Sequence, residues 1–377
     1  MNKPVISGTG VFTPKDIITN EELVTSFNQY VELYNAEHKA EIDEGTLDAL
    51  TYSDADFIFK ASGIRQRYVI NKSGPLNPKI MHPIFPQRGD DEPSISAEIA
   101  LDACNKALKA AGKTAADVDL VIVACSNMER AYPAMAIEVQ ELLGISGFAF
   151  DMNVACSSAT FGIQTASDMI RAGSIKSALV VSPEITSGHL EWRDRDCHFI
   201  FGDVATAVFI EEKSLASVNH FEVLSTRCAT TFSNNIRNNN GFLRRTRPDG
   251  LNDRRDMQFM QNGRKVFKEV LPLVSAHVAD HLAAENQNGN DLKRIWLHQA
   301  NQTMNDFIGK KIYGRDPSET EQPNILKHYA NTSSAGSIIA FSQHQDGFAE
   351  GETGLICSFG AGYSVGSVML RYCTLSA

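Results

Sequence analysis

The sequence has few of the features that build metal sites, disulfide frameworks or membrane spans. Its seven cysteines are scattered and odd in number, and no Cys-x-x-Cys pair occurs. That pattern argues against a disulfide scaffold and against a structural zinc site. No apolar run approaches the ~18 residues that a spanning helix needs. No apolar signal segment follows Met1-Asn2-Lys3-Pro4, which runs straight into a strand-like stretch. A phosphate loop of the Gly-x-x-x-x-Gly-Lys-Ser/Thr type is missing, as are His-Glu-x-x-His and paired carboxylates. Basic charge is also in deficit. Lys and Arg total 35 against 45 Asp and Glu, giving a net charge of −10 and a pI of about 5.5. Such a mean field repels phosphate, which argues against generic binding to nucleic acid or an anionic membrane. The expectation is a cytoplasmic enzyme kept reduced, with each cysteine judged by its own surroundings.

The chain has 377 residues, 43% of them hydrophobic and 21% charged. That is ordinary globular composition, with room for two domains of ~100–200 residues and a large core. A strand is expected near Pro4–Gly8, with a turn around Pro14. Residues 28–52 are polar and acidic, and read as an inserted helical excursion. Residues 71–94 hold five prolines, so they read as a long surface loop rather than a helix or central strand. Helix and strand then alternate. Helices are expected over Ile95–Ala111, Ala134–Leu143 and Ala159–Ala172, each stopped by a glycine. Between and after them lie strands at Leu120–Ala124, Phe148–Val154, Ala178–Ser182 and Ala205–Ile210.

The second half repeats this grammar. It has helices at Arg264–Ala284, Gln302–Ile312 and Ser333–His344, with strands at Ile295–Leu297, Leu355–Phe359 and Val365–Leu370. Continuous apolar strands alternating with helices indicate a mostly parallel sheet covered on both faces. Two α/β halves joined near Glu212–Val218 fit best.

Four segments carry chemistry. In Asp151-Met-Asn-Val-Ala-Cys156-Ser-Ser-Ala-Thr-Phe-Gly162, a cysteine sits between a strand and a helix. The positive end of the helix dipole would stabilise its thiolate and lower its pKa. Taken alone, the position fits a buried core cysteine as well as a nucleophile. Cys104, Cys125, Cys197, Cys228, Cys357 and Cys373 lack such a setting and read as structural. In Ile295-Trp-Leu-His298-Gln-Ala-Asn301, a histidine follows a strand end, where open α/β folds place reactive groups. In His328-Tyr-Ala-Asn331-Thr-Ser-Ser-Ala-Gly336, Asn331 either caps the next helix or serves a site. In Ser358-Phe-Gly360-Ala-Gly362-Tyr-Ser-Val-Gly366, the glycines either make a tight turn or turn backbone N–H groups toward a ligand. They are not a dinucleotide fingerprint, because the spacing differs and a strand follows.

Together, and in this order, with Phe201-Gly-Asp203 between the first two, the segments resemble the β-ketoacyl-acyl-carrier-protein synthase III family. These are thiolase-fold condensing enzymes, and the resemblance covers nearly the whole chain. It implies an α/β, thiolase-like fold: two similar halves, residues 1–213 and 214–377, in a layered αβαβα arrangement. It implies a triad of Cys156, His298 and Asn331, with backbone N–H groups of Cys156 and Ala361 as the oxyanion hole. Ala361 stands where the family commonly has the middle of three glycines, and keeps the backbone donor.

Phe57 matches a stacking tryptophan and Arg195 an arginine beside the adenine of coenzyme A. Ala61 and Thr303 stand where relatives often have arginines, and Arg264 replaces an asparagine. Lys268, Lys310 and Lys311 match the patch that docks the carrier protein; read alone, they are solvated helix lysines. Arg244, Arg245, Arg247, Arg254 and Arg255 read as a solvated loop. Tyr132 matches a residue that family dimers push into the partner's acyl pocket.

The implied substrates are an acyl-CoA and malonyl-acyl carrier protein, handled by a homodimer without metal or resident cofactor. The segments at 28–52 and 71–94 exceed compact relatives, which suggests a medium-length primer rather than acetyl. Alternatives are a secondary-pathway acyltransferase of the same fold, an idle partner subunit, or a cysteine hydrolase. Hydroxymethylglutaryl-CoA synthase is disfavoured because no matching catalytic glutamate is found.

Overall fold

A computed structural model describes residues 2–239 and 255–375. Strand β1 (Pro4–Phe12) leads to β2 (Asp16–Thr19) and helix α1 (Asn20–Glu37). Helices α2 (Lys39–Asp43) and α3 (Ala55–Ser62) precede β3 (Gln66–Val69). Next come α4 (Ile95–Ala111), β4 (Leu120–Ala124), α5 (Met135–Leu143), β5 (Phe148–Met152) and α6 (Ser158–Arg171). β6 (Ser177–Glu184) and β7 (Val204–Glu212) follow. The later chain forms β8 (His220–Ser233), β9 (Ile236–Arg237), β10 (Met260–Gln261) and α7 (Gly263–Ala284). It continues with β11 (Leu292–Leu297), α8 (Gln302–Tyr313), α9 (Leu326–Tyr329) and α10 (Gly336–Gln343). β12 (Thr353–Gly360) and β13 (Gly362–Cys373) close it.

Nine strands form one mixed sheet in the order β11-β12-β13-β8-β1-β7-β6-β4-β5. Its two wings share one grammar. β1-β7-β6-β4 pair antiparallel, antiparallel, then parallel. β8-β13-β12-β11 repeat that sequence. The wings meet through only Val5 against Glu222 and Ile6 against Phe221.

Alternation along each strand explains the layering, because successive side chains face opposite sides. Leu120, Ile122 and Ala124 of β4 join one core cluster with Ile163 of α6 and Ile338 of α10. Ile356 and Val368 of the other wing enter that same cluster. Val121 and Val123 face the opposite way, onto Ala103 and Ala107 of α4 and Val139 of α5. Leu355 and Cys357 likewise face Val270 and Val274 of α7 and Ile308 of α8. Helices α6 and α10 are thus the filling between the wings, with α4–α5 and α7–α8 outside. The order is αβαβα, and strands such as β4, β6 and β12, covered on both faces, need apolar residues on both.

Several sequence expectations need revision. Residues 28–52 are not an excursion of their own. The helix begins at Asn20, where Thr19 and Glu22 form a capping box, and Leu23, Phe27 and Val31 anchor it in the core. The polar outer face of α1 hid this stripe. Strands β2 and β3 and the long β8 were not expected. Residues 71–94 do lack helix and strand, yet they are not wholly superficial, since Met81 is buried beside α1 residues. The expected helix over Ser333–His344 starts with a 3-10 turn at Ser333–Ala335 before α10 begins. Arg244, Arg245, Arg247 and Arg254 lie outside the described residues. Arg255 pairs with Asp194 at 3.0 Å rather than standing in a solvated loop.

Helix α4 lies close on β1. A Cβ at Gly8 would fall on the Ala107 carbonyl oxygen, and one at Gly10 on that of Ala103. A Gly10→Ala variant should therefore lose roughly 1–3 kcal/mol of stability, read as a lower urea midpoint with unchanged slope. No loss would show that this interface can yield.

Candidate active site

Two turns of identical construction meet between the wings. After β5, Asn153 Oδ1 accepts a 3.0 Å bond from the Ala155 N–H. Ala155 is held at φ 48°, and a 3-10 turn over Ala155–Ser157 feeds α6. After α9, Asn331 Oδ1 accepts a 2.8 Å bond from the Ser333 N–H. Ser333 is held at φ 51°, and the turn Ser333–Ala335 feeds α10. A non-glycine residue pays to occupy the left-handed region, and the asparagine bond fixes it there. The result is a reactive residue thrust forward at a helix N-terminus. In this correspondence Asn153 matches Asn331, and Cys156 matches Ser334.

The tips of the two turns touch. Ser333 Oγ donates to Cys156 Sγ at 3.4 Å. The N–H groups of Ala361 and of Cys156 itself also face the sulfur. Gly360 is obligatory here: a Cβ on it would lie 2.6 Å from Cys156 Cβ and 3.0 Å from Sγ.

Burial pushes the Cys156 thiol up to about 11, and the negative charge of Glu184 adds to this. The bonds from Ser333, Ala361 and Cys156 N–H pull the other way without prevailing. Against the expectation of a lowered thiol pKa, loss of water around the sulfur outweighs the hydrogen bonds that face it. The residue stays half-buried, open on one side to a cavity.

His298 follows β11, and its N–H donates to the Cys357 carbonyl at 2.8 Å. Its ring lies edge-on to Phe359, with centroids 5.2 Å apart. Burial pushes the imidazole down to about 4, opposed only by the Ser333 carbonyl. The ring is neutral at neutral pH. Asn331 does not cap the next helix, whose N-cap is Ala335; its Oδ1 closes the turn ahead of it, and the residue lines the cavity. Its Nδ2 finds no acceptor among the described residues.

The Phe201-Gly-Asp203 motif clamps this segment. Gly202 N–H donates to the Asn331 carbonyl at 3.1 Å, and Asn331 N–H to that of Ile200 at 2.9 Å. Asp203 accepts from Ile70 N–H, Ser187 N–H and Ser187 Oγ. Its carboxylate binds loops together and faces no substrate space.

A cavity of about 350 Å³ is lined by Cys156, His298, Asn331 and Gly360, and also by Phe57, Ala61 and Met304. The Arg195 guanidinium lies 4.7 Å from the Phe57 ring centroid, and its Nε donates to the Tyr52 carbonyl at 2.7 Å. The expected pair thus meets at the mouth. Ala61 turns its carbonyl to Asn301 Nδ2 at 2.8 Å. Thr303 and Arg264 are exposed.

Lys268 on α7 and Lys310 and Lys311 on α8 are exposed too, on helices that contribute Val266 and Met304 to the cavity. Lys310 is paired with Asp316 at 3.2 Å, and Lys311 lies 5.6 Å above the Phe307 ring. Tyr132 is 85% exposed and does not line this cavity. Among the described residues, no cluster of His, Cys, Asp or Glu could hold a metal, and no helix is long and apolar enough to cross a membrane.

Sequence reasoning missed two side chains. Ser333 touches the Cys156 sulfur, and its place inside the Asn331 segment was the available signal. Glu184 is a fully buried carboxylate near Cys156, signalled by an acidic residue closing an otherwise apolar strand.

Comparison with known proteins shows the family and the fold. Residues 150–231 match the family model of 3-oxoacyl-(acyl-carrier-protein) synthase III, and residues 282–372 match its C-terminal model. A beta-ketodecanoyl-(acyl-carrier-protein) synthase of Pseudomonas aeruginosa is 55% identical, over 92% of this chain and 99% of its own. A beta-ketoacyl-(acyl-carrier-protein) synthase III of Acidiphilium cryptum is 30% identical, over 99% of this chain and 100% of its own. Crystal structures of synthase III from Pseudomonas aeruginosa and Aquifex aeolicus share the fold. The first has a TM-score of 0.75 at 23% identity, covering 100% of both chains. The second has a TM-score of 0.75 at 22% identity, covering 98% of this chain and 100% of the other. With its thiolase-like layers, this chain belongs to the 3-oxoacyl-(acyl-carrier-protein) synthase III family of acyltransferases.

Proposed function

We propose that the protein transfers the acyl group of an acyl-CoA to Cys156 and then condenses it with malonyl-acyl carrier protein. The observation that carries this reading is that Cys156, His298 and Asn331 line a single cavity. In the first step the sulfur of Cys156 attacks the thioester carbonyl. The acyl–Cys156 bond forms, and coenzyme A leaves as a thiol carrying the cysteine's proton. In the second step the malonyl thioester loses carbon dioxide and becomes an enolate. Neutral His298, through Nε2, and Asn331 Nδ2 donate hydrogen bonds to its oxygen. Preorganised donors of this kind are worth roughly 3–4 kcal/mol each. Asparagine suits the role because it donates without titrating.

The enolate carbon then attacks the acyl-cysteine carbonyl. The N–H groups of Cys156 and Ala361 hold the resulting oxyanion, as they hold the resting sulfur. Collapse expels Cys156, which regains a proton, and releases a β-ketoacyl carrier protein two carbons longer than the primer. This is the entry step of fatty acid chain building. A coenzyme A thioester enters as substrate, and no resident cofactor takes part.

Phe57 and Arg195 at the mouth suit the adenine, and Lys268, Lys310 and Lys311 suit the acidic carrier protein. A homodimer is supported by β5, which ends the sheet with Phe148 46% exposed, and by the nearby exposed Tyr132. In that assembly Tyr132 gates the partner's acyl pocket. We read the division into halves at residues 213 and 214, and the location as cytoplasmic, where seven unpaired cysteines stay reduced.

The primer is read as medium-length. The name of the Pseudomonas aeruginosa relative specifies a ten-carbon product. A two-carbon extension then starts from eight carbons. A second cavity of about 360 Å³ is lined by Phe85, Met128, Ile185, Gly188 and His189. Phe85 comes from the long 71–94 segment. The His189 ring lies 5.1 Å from that of Phe201, which lines the first cavity. An acyl chain passing this aromatic pair would reach the second chamber. This is the sense in which the extra segment shapes primer choice.

Three outcomes test the reading. Cys156→Ala should lose acylation by labelled octanoyl-CoA, while Asn331→Ala should keep acylation and lose condensation by roughly two orders of magnitude. Hydrolysis of acyl-CoA without condensation by the wild type would favour a hydrolase instead. Alkylation of Cys156 by iodoacetamide should climb about tenfold per pH unit from pH 7 to 10, as a thiol near 11 requires. A plateau below pH 7 would contradict the buried-thiol account. Gly188→Val, which intrudes on Phe85 where a Cβ already lies at 3.3 Å, should cut kcat/KM for octanoyl-CoA roughly tenfold more than for butyryl-CoA. Equal losses for both primers would remove the chamber from the account.

A further inference from the structure

Glu184 ends β6, is 0% exposed, and takes no part in the reaction described above. Its carboxylate accepts from Ser126 N–H at 3.0 Å and Ser126 Oγ at 2.6 Å. It also accepts from Ser334 N–H at 3.1 Å and from Ser334 Oγ. Among the described residues no cation pairs with it. A buried carboxylate held only by hydroxyl and amide donors is costly to keep. Burial pushes it up to about 7 against the pull of those four bonds. An apolar residue would serve the layer better if packing alone mattered.

The symmetry of the wings explains what it touches. β6 corresponds to β12, so Glu184 is the counterpart of Gly360, each being the last residue of its strand. Gly360 lies against Cys156, the tip of the first turn. Glu184 lies against Ser334, the tip of the second. Where the strand ends in glycine, the turn's tip is left open to the cavity. Where it ends in glutamate, the tip is tied down. Ser334 directly follows Ser333, whose hydroxyl reaches Cys156, whose carbonyl faces His298, and whose N–H holds Asn331 Oδ1. Through Ser126 the same carboxylate reaches the first turn more remotely, since the Ser126 carbonyl accepts from Asn153 Nδ2 at 2.9 Å.

We propose that Glu184 is a positioning residue for decarboxylation and condensation: it fixes Ser334, and so sets where Asn331 and His298 meet the malonyl thioester. This rests on the condensing reaction proposed above. Misplacement of such donors by an ångström costs on the order of a hundredfold in rate.

The test compares partial reactions in Glu184→Gln and Ser334→Ala, with thermal melting of each as a folding control. Expected for both is acylation by octanoyl-CoA within about threefold of wild type. Malonyl-carrier decarboxylation and condensation should fall roughly tenfold or more, in kcat with KM for the malonyl substrate little changed. Glu184→Asp should recover part of the loss. Equal effects on both partial reactions, or no effect in folded variants, would overturn the proposal. If Glu184→Gln fails to fold, Ser334→Ala alone decides by the same split. A wild type that acylates but never condenses would instead overturn the underlying reading, leaving no second step for Glu184 to position.

Discussion

The structure depends on one contact: the tip of the Cys156 turn against the tip of the Asn331 turn. Each wing of the sheet delivers a turn into the middle layer, and each turn launches the helix that fills that layer. The Ser333 Oγ to Cys156 Sγ bond is where they touch. The packing of α6 and α10 against both wings holds the tips in register. Activity therefore depends on the whole sandwich. A shift of either wing would part Cys156 from Ser333 and from the Asn331 segment.

That contact also explains the electrostatics. Packing two turns tip to tip removes water from both. Desolvation keeps the Cys156 sulfur protonated and the His298 ring neutral at rest. A reactive thiolate waiting in the cell would be a liability to alkylation and oxidation. A protonated thiol that ionises as substrate arrives avoids it. An imidazole near 4 carries no extra proton to give to the malonyl carboxylate, which must stay ionised to leave as carbon dioxide. The burial that corrects the simple helix-dipole expectation thus fits a two-step enzyme better than a permanently activated cysteine.

The two turns were only partly legible as related. Asn153-Val-Ala-Cys156 and Asn331-Thr-Ser-Ser334 share only their asparagine; where the first turn carries Cys156, the second carries Ser334 bonded to Glu184. What persists is geometric: the Asn bond, the positive φ and the 3-10 turn. The apolar runs of β4, β6 and β12 were plain in the sequence because both faces are buried. The α1 stripe and strands β2, β3 and β8 were not, since they lie where one face meets solvent and polar residues interrupt the pattern. Cys156, His298 and Asn331 could be picked out from their segments as residues of one cavity. Glu184 left only a weak signal, an acidic residue closing an apolar strand, because its partner Ser334 lies 150 residues away in sequence.

The central claim is that Cys156 carries the primer and surrenders it to the malonyl carrier. It is met most directly by peptide mapping of the wild-type protein after exposure to octanoyl-CoA, followed by a chase with malonyl-acyl carrier protein. The account predicts an octanoyl group on the peptide containing Cys156, which disappears in the chase as a ten-carbon β-keto group forms on the carrier. An octanoyl group on any other cysteine, or one at Cys156 that the chase leaves in place, would contradict it.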